Sequence, residues 1–363
     1  SGLTWETTTQ TNLGADLSLF KGRLSLSADY WTKDTKDLLF QVALPNTSGY
    51  ESFVTNIGEV SNKGFDFQLG GTIIKNDNFS WNSDFNISFI NNKVKKLPGG
   101  NDIQQTERYL FGGVVSILRE GESLGSFYLY ESNGVFSTAK EAAEAGYIDK
   151  ISKSNGGQPV AGDARWVDQN KDGVIDTKDK IIAGNPIPDF TGGLNNTFKY
   201  KGLSLDAFFQ FSKGNDVYNN FRTDLVRGFN TNYLKENLDA WKQEGDITDV
   251  PRNVLLDPAN NSEGVVARPS TRFLEDGSFI KLKTVTLTYE FPNSVLEKLK
   301  LSGLKVYAKG TNLLTITKYS GFDPEVSVAQ NNNAGQNGGF QFGIDRGLYP
   351  LSKSITLGLS LDF

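Results

Sequence analysis

The last ten residues, SITLGLSLDF from Ser354 to Phe363, admit one backbone conformation. Ile355, Leu357, Leu359, Leu361 and Phe363 alternate with Ser354, Thr356, Gly358, Ser360 and Asp362. A period of two belongs to a strand with one apolar and one polar face. Such a strand suits either a soluble sandwich or a barrel wall in lipid, and the rest of the chain has to decide between them.

The same alternation recurs along the chain. Leu13, Ala15, Leu17 and Leu19 alternate with Asn12, Gly14, Asp16 and Ser18; after a tight turn at Lys21 and Gly22 the pattern returns through Leu24, Leu26, Ala28 and Tyr30. Phe65, Phe67 and Leu69, then Trp81, Phe85, Ile87 and Phe89, form a second pair around Asn76 to Asn78. FTGGLNNTFKY and LSLDAFFQF form a third around Lys201 and Gly202. KTVTLTYEF, LKVYAKGTNLLTI and the terminal strand complete nine wall strands. Between them lie two long excursions, about 95–189 and 213–278. The first holds an extra strand at Ser126 to Tyr130 and a short helix from Thr138 to Ala145. The second holds a helix expected from Thr231 to Glu244, with Leu234, Leu238 and Trp241 on one face and Gly245 as its stop.

Composition removes several function classes. The 363 residues include no Cys and no His, so there is no disulfide frame, thiolate nucleophile or His-based catalytic pair. Paired carboxylates such as Asp246 and Asp249 are expected by chance among 42 acidic residues, and no enzyme is expected. A net charge of −5 gives no basic face for nucleic acid. No run approaches the roughly 18 apolar residues of a membrane helix. Barrel strands keep mean hydropathy low and are not excluded by it. Met is also absent, and the sequence does not open at Ser1 on a charged-then-apolar leader, so the chain is expected to be a processed or partial product whose export signal lies outside it.

Two features favour the barrel. Connections alternate short and long, as they do when one set of turns faces the periplasm and the other builds an external surface. Beside the short turns stand Phe20, Phe79, Trp81, Phe198, Tyr200, Phe291 and Phe363, an interfacial aromatic girdle. The fold class expected is therefore all-β, an antiparallel transmembrane β-barrel with long extracellular loops. Leu13, Leu26, Phe67, Ile87, Leu205, Leu287 and Leu357 should face lipid, and Asp16, Asp29, Asp66, Asp206 and Thr286 the lumen. Trp166, Phe221, Phe229, Tyr233 and Trp241 in the excursions offer an external surface able to stack on a ligand, though packing of the loops themselves is the commoner use of such residues.

At these residues the chain resembles the C-terminal part of the SusC/RagA family of TonB-dependent outer-membrane transporters. The resemblance runs through LTWETTTQTNLGADLSLFKGRLSLSADYW, NKGFDFQLGG, GNPIPDFTGGLNNTFKYKGLSLDAFFQFSKG, DGSFIKLKTVTLTYEF, LKVYAKGTNLLTITKYSGFDPE and GIDRGLYPLSKSITLGLSLDF, in order from end to end. It implies a bacterial outer-membrane location and import of an oligosaccharide or oligopeptide. The implied partners are a SusD-like surface lipoprotein, outer-membrane lipid and TonB acting through a plug. The whole of 1–363 is then the C-terminal part of one barrel of roughly 22 strands. The plug is expected to be absent from this chain, and the remaining N-terminal barrel and plug portion becomes a partner. A siderophore or vitamin receptor of the same fold, or a soluble calcium-binding β adhesin or lectin, are the alternative readings.

One motif stands apart from the alternation. In DQNKDGVIDTKD, Asp168, Asn170, Asp172, Asp176 and Asp179 fall at positions 1, 3, 5, 9 and 12 of a calcium loop. Val174 offers its carbonyl at position 7, and Gly173 stands where the loop must turn sharply. One structural Ca²⁺ is expected there as a staple of the excursion. Asp179 replaces the longer Glu usual at position 12, and a solvated Asn/Asp/Gly turn is the alternative.

Overall fold

The computed structural model describes residues 3–43, 49, 52–56, 58–106, 114–152, 154–227, 232–254, 260, 262–263, 266–326 and 342–363. Nine strands follow one another in chain order across a single antiparallel sheet. They are β1 (Thr7–Leu19), β2 (Leu24–Lys36), β3 (Glu59–Lys75), β4 (Phe79–Lys96) and β5 (Phe190–Tyr200), then β6 (Leu203–Lys213), β7 (Phe279–Glu290), β8 (Gly303–Thr317) and β9 (Ser354–Asp362). Among the described residues no helix is long and apolar enough to cross a membrane. The α-helices among the described residues are short: α1 (Ala139–Ala143), α2 (Asn220–Arg227) and α3 (Asn293–Leu299).

Register converts the alternation into two faces. One row crosses seven strands as Leu17, Leu26, Leu69, Phe85, Leu194, Phe209 and Leu282. The next row, one residue away, is Asp16, Ser27, Gln68, Asn86, Gly193, Gln210 and Lys281. The first face has no cover: Leu13 is 76% exposed and Leu357 78%. In water, exposed leucines on this scale would be a liability; in hydrocarbon they are the solvated state. This bare face argues against the soluble adhesin or lectin, whose aliphatic side chains would close over a core. On β5, side chains from Phe190 to Tyr200 span ten residue steps. At about 3.3 Å per step and about 40° of tilt this gives a band about 25 Å tall, the height of a barrel's apolar belt.

Every long connection leaves from one end of the sheet and every short one from the other. At the short end, Lys201 and Gly202 both have positive φ (45° and 84°), the pairing that a two-residue hairpin turn requires. Lys21 (φ 58°) and Gly22 (φ 82°) lie in the turn from β1 to β2, and α3 fills the connection from β7 to β8. The aromatic girdle lies along this end. Trp81 and Phe198 stack at 5.5 Å, and Tyr289 meets Phe291 edge-on at 5.0 Å.

The excursions at the other end contain their own small sheets. Ser126–Tyr130 is a strand, as its apolar run suggests, but it lies outside the wall, between Val114–Leu118 and Lys180–Gly184. The helix expected from Thr231 to Glu244 is not formed. Thr231 lies outside the described residues, and the remainder holds only a 3-10 turn at Lys235–Asp239. Leu238, assigned to the buried face of that helix, points to solvent at 70% exposure, while Leu234 packs on the buried cluster around Phe127 and Trp241 on Gly162, so the three side chains do not share the one face that would have stabilised the helix. The helix of this excursion is α2, which buries Thr223 and Val226.

Placing a charge on the bare face tests its solvent. Leu357→Arg in the full-length barrel should cost about 2–4 kcal/mol if the side chain sits near the bilayer midplane. Denaturant unfolding in lipid vesicles measures this, and an unchanged midpoint would mean that the face is not in hydrocarbon.

Candidate functional site: a polar wall beneath an interlocked external body

The polar face is built from carboxylates held by hydroxyls. Thr197 Oγ1 donates to Asp206 at 2.6 Å, the Ser88 hydroxyl donates to Asp66, and Asn92 Nδ2 donates to Asn62 at 2.7 Å. Asp29 and Asp66 stand directly opposite one another in register, an arrangement that costs free energy between like charges. The strand context relieves it: the Asp29 carboxylate leans away across Gly14, into the space a Cβ there would occupy. Asp84 does the same over Gly70. Both glycines are therefore tied to the placement of a charge.

Above the long-connection end, three excursions share one apolar core. Val115, Phe127 and Leu129 come from 97–189, Tyr218, Val226 and Phe273 from 214–278, and Ile344 from 318–353. Backbone pairing joins the same segments. Asp216–Asn219 lies between Leu274–Asp276 and Ile344–Asp345 in a three-stranded sheet, and Tyr130 N–H donates to the Pro269 carbonyl at 3.0 Å. A second core, with Phe136, Tyr147, Trp166 and Ile175, lies within the first of these excursions.

Charged side chains complete the joints. Arg268, fully buried, reaches from 214–278 to Asp149 of 97–189 at 2.9 Å and lies 4.5 Å from the Trp166 ring centroid. Arg252 pairs with buried Asp163 at 2.7 Å, and the Trp241 indole donates to the Ser137 carbonyl at 3.0 Å. Burial pushes the Tyr147 phenol up to about 12, and its oxygen accepts from Trp166 N–H at 3.1 Å. The last excursion is tied to the wall itself: buried Lys281 on β7 pairs with Asp323 at 2.5 Å and Glu325 at 2.6 Å, and Lys283 with Glu325 at 2.7 Å. Burial opposes ionisation of Glu325, but the two ammonium groups outweigh it and hold its carboxyl below the usual range.

The aromatics expected to stack on a ligand separate into classes. Trp166 is buried under Arg268, Trp241 packs on Gly162, and Phe221 lies against Phe322 at 5.6 Å. Tyr233 is exposed and free for contact, while Phe229 lies outside the described residues. An open cleft of about 440 Å³ is lined by Phe136, Tyr147 and Trp166, with Glu141, Glu144 and Arg165 at its polar edge. The residues that join the excursions, Arg268 and Asp149 above all, gave no signal in the sequence, because they lie 119 positions apart.

The acidic loop forms a tight turn. Asp168 accepts from Lys171 N–H at 2.7 Å and Gly173 N–H at 2.8 Å. Asp172 accepts from Val174 N–H and Asn170 Nδ2, each at 3.0 Å. Asp176 caps Lys178 N–H at 2.9 Å, and fully buried Asp179 accepts from Gln169 and Asp176 N–H at 3.0 and 2.8 Å. Gly173 has φ 77° at the sharp bend. The flanks are strands, Ala164–Trp166 and Lys180–Gly184, and Ile175 anchors the turn in the second core. Hydrogen bonds hold the turn, and among the described residues no three carboxylates are gathered around one point.

Arg268 carries the joint between excursions. Arg268→Met, which keeps much of the side chain's length, leaves Asp149 buried and unpaired and should destabilise the external body by about 3–5 kcal/mol. Native-state proteolysis should then cleave 97–189 and 214–278 faster while the wall strands stay protected. Unchanged cleavage would remove the assignment.

Comparison with known proteins places this geometry. Residues 1–149 match the family model described as TonB dependent receptor-like, beta-barrel. The chain is 38% identical over 363 residues to TonB-dependent receptor P3 of Formosa agariphila, covering 99% of this chain and 34% of that protein. To TonB-dependent receptor SusC of Bacteroides thetaiotaomicron it is 28% identical over 373 residues, covering 99% and 32%. A chain of the RagAB peptide transporter superimposes with a TM-score of 0.76 at 29% identity, covering 99% of this chain and 36% of that one. The chain thus spans about a third of the length of the relatives it matches. Their family is one of receptors and transporters, not of enzymes. The sheet, its register and these matches together make the chain a C-terminal barrel segment of a TonB-dependent receptor of the SusC/RagA type, a protein of the bacterial outer membrane.

Proposed function

We propose that the segment forms part of the lumen wall and external mouth of a TonB-dependent importer. Its cargo would be an oligosaccharide or oligopeptide, delivered with a SusD-like surface lipoprotein. The observation that carries this reading is the division of the chain into two surfaces. A polar wall of carboxylates, amides and hydroxyls runs the height of the sheet, and three excursions with a shared core stand over one end. A hydrated wall passes a polar cargo without binding it tightly, and external loops positioned by a scaffold are where recognition concentrates. Likeness to the RagAB peptide transporter supports a peptide cargo. Energy would arrive through TonB and a plug in the rest of the protein.

Purification of the full-length receptor from outer membranes should bring down a SusD-like lipoprotein. Uptake of labelled oligopeptide or oligosaccharide by cells should cease when TonB is removed. TonB-independent uptake would end this proposal. Normal growth on both cargo classes with failure under iron limitation would instead identify a siderophore receptor.

We also propose that Asp168 to Asp179 takes one structural Ca²⁺. Support comes from the spacing of Asp168, Asn170, Asp172, Asp176 and Asp179, the turn at Gly173 and the placement of Val174 between them. The donor set is all oxygen, which suits a hard cation. Binding would draw the Asp168 and Asp172 carboxylates together over the turn and staple the second core, where Ile175 is buried. In the parent protein, calcium should slow proteolysis of this loop relative to chelator, and Asp168→Ala with Asp172→Ala should abolish the difference. Equal cleavage of the parent in calcium and chelator would refute it.

A further inference from the structure

The short-turn end carries a charge pattern that has no part in transport as described above. Along the short connections and the strand ends beside them, Lys21 and Arg23 lie at the turn from β1 to β2, and Lys75 at the turn from β3 to β4. Lys199 and Lys201 flank the turn from β5 to β6, and Lys298, Lys300 and Lys305 surround α3. The opposing carboxylates in the same zone are Asp77, Glu290, Glu297 and Asp362. The rim therefore has four positive charges in excess, in a chain of net charge −5; Lys75, Lys199 and Lys305, like Glu290 and Asp362, have the parity of the polar face, so the turns themselves carry Lys21, Arg23, Lys201, Lys298 and Lys300 against Asp77 and Glu297, an excess of three toward the bilayer surface. All eight cations are exposed, and none forms an ion pair among the described residues.

Backbone geometry makes this more than a solvated edge. Lys21, Lys201 and Lys300 have φ of 58°, 45° and 55°. The left-handed region favours Gly and Asn, and a lysine there is strained. Three of the short connections keep a cation where the backbone alone would select against it. The Lys201 ammonium also lies 5.4 Å from the centroid of Tyr200, a half-exposed ring of the aromatic girdle, so the charge is held at the level where the apolar belt ends.

We propose that this rim binds the phosphate groups of anionic phospholipids, of the phosphatidylglycerol class, in the leaflet nearest the short turns. The inference rests on the barrel assignment and not on the cargo. The apolar face runs without a break into the lysines, so the molecule that covers the face is a lipid whose head group lies at their height. Its charge complements the rim, and clustered lysines near a bilayer surface attract anionic lipid within a Debye length.

Thermal unfolding of the full-length receptor, followed by loss of β-sheet circular dichroism, tests this in vesicles of phosphatidylcholine alone and of an equimolar mixture with phosphatidylglycerol. The midpoint should be higher in the mixture, and high salt should shrink the increment. A combined Lys21→Asn, Lys201→Asn and Lys300→Asn variant should unfold at a higher temperature in phosphatidylcholine, because Asn tolerates the left-handed backbone. The same variant should lose about half or more of the phosphatidylglycerol increment. These opposite signs separate lipid binding from a fold defect. Equal midpoints of the parent in both vesicles, or a full increment in the variant, would overturn the proposal, as would retention of an acidic protein by the rim with no response to lipid.

Discussion

The backbone ladder between neighbouring strands is the constraint from which the other features follow. The leucine face has no protein cover, so in the membrane it lies in hydrocarbon, where an unpaired N–H or carbonyl has no water to turn to. Eight consecutive antiparallel pairings satisfy the interior strands. The register must then hold everywhere, since a slip of one residue would carry Asp16, Asp66 and Asp206 into lipid. β7 shows how strictly it holds. Its apolar positions are even at Ile280 and Leu282 and odd at Val285 and Leu287, and a bulge at Lys283 absorbs the change against both neighbours. Among the described residues β1 and β9 pair on one side only, and strands from elsewhere must complete their ladders in the membrane.

A wall that keeps every polar backbone group paired has no freedom to recognise anything by shape, so shape is made at the end where connections are long. There the excursions face water and can bury side chains in the ordinary way. They do so jointly: Phe127, Tyr218, Phe273 and Ile344 come from three separate connections, and no one of these connections supplies the whole core. Burying Arg268 with Asp149 costs desolvation that their attraction offsets only with good geometry. The Trp166 face beside the guanidinium adds a cation–π contact. Such a joint contributes less to net stability than to fixing one arrangement, because either charge left alone in the core would be costly.

How much of this was legible in the residues follows from the range of each interaction. Alternation is local, so the nine wall strands, the turn at Lys201 and Gly202 and the facing of Leu357 were readable from the sequence. α1, with Thr138 accepting from Glu141 N–H at its N-terminus, was equally local. The helix expected after Thr231 failed because Leu234, Leu238 and Trp241 do not share one surface: Leu234 packs on the excursion core, Leu238 faces solvent and the fold sends the Trp241 indole to Ser137. The strand at Ser126 to Tyr130 was visible as a strand, but its membership of a separate sheet depends on distant partners in Lys180–Gly184. Arg268 was unreadable for the same reason. Trp166 looked available for a ligand only because sequence does not report that an arginine from another excursion covers it.

Two coordinates then determine what each wall residue does. Parity decides whether a side chain meets lipid or lumen. Height decides whether it meets the external body, the belt or the rim. Lys281 and Lys199 are both lysines of the polar face, yet the first is buried by Asp323 and Glu325 and anchors the last excursion, while the second stands exposed at the opposite edge. Their chemistry is identical and only their height differs. Between them the wall carries few cations, and its carboxylates are spread by Gly14 and Gly70 so that like charges do not crowd. The polar surface is thus anchored by a buried salt bridge at one end, edged by exposed cations at the other and kept hydrated between, which is the distribution that a conduit for a soluble cargo requires.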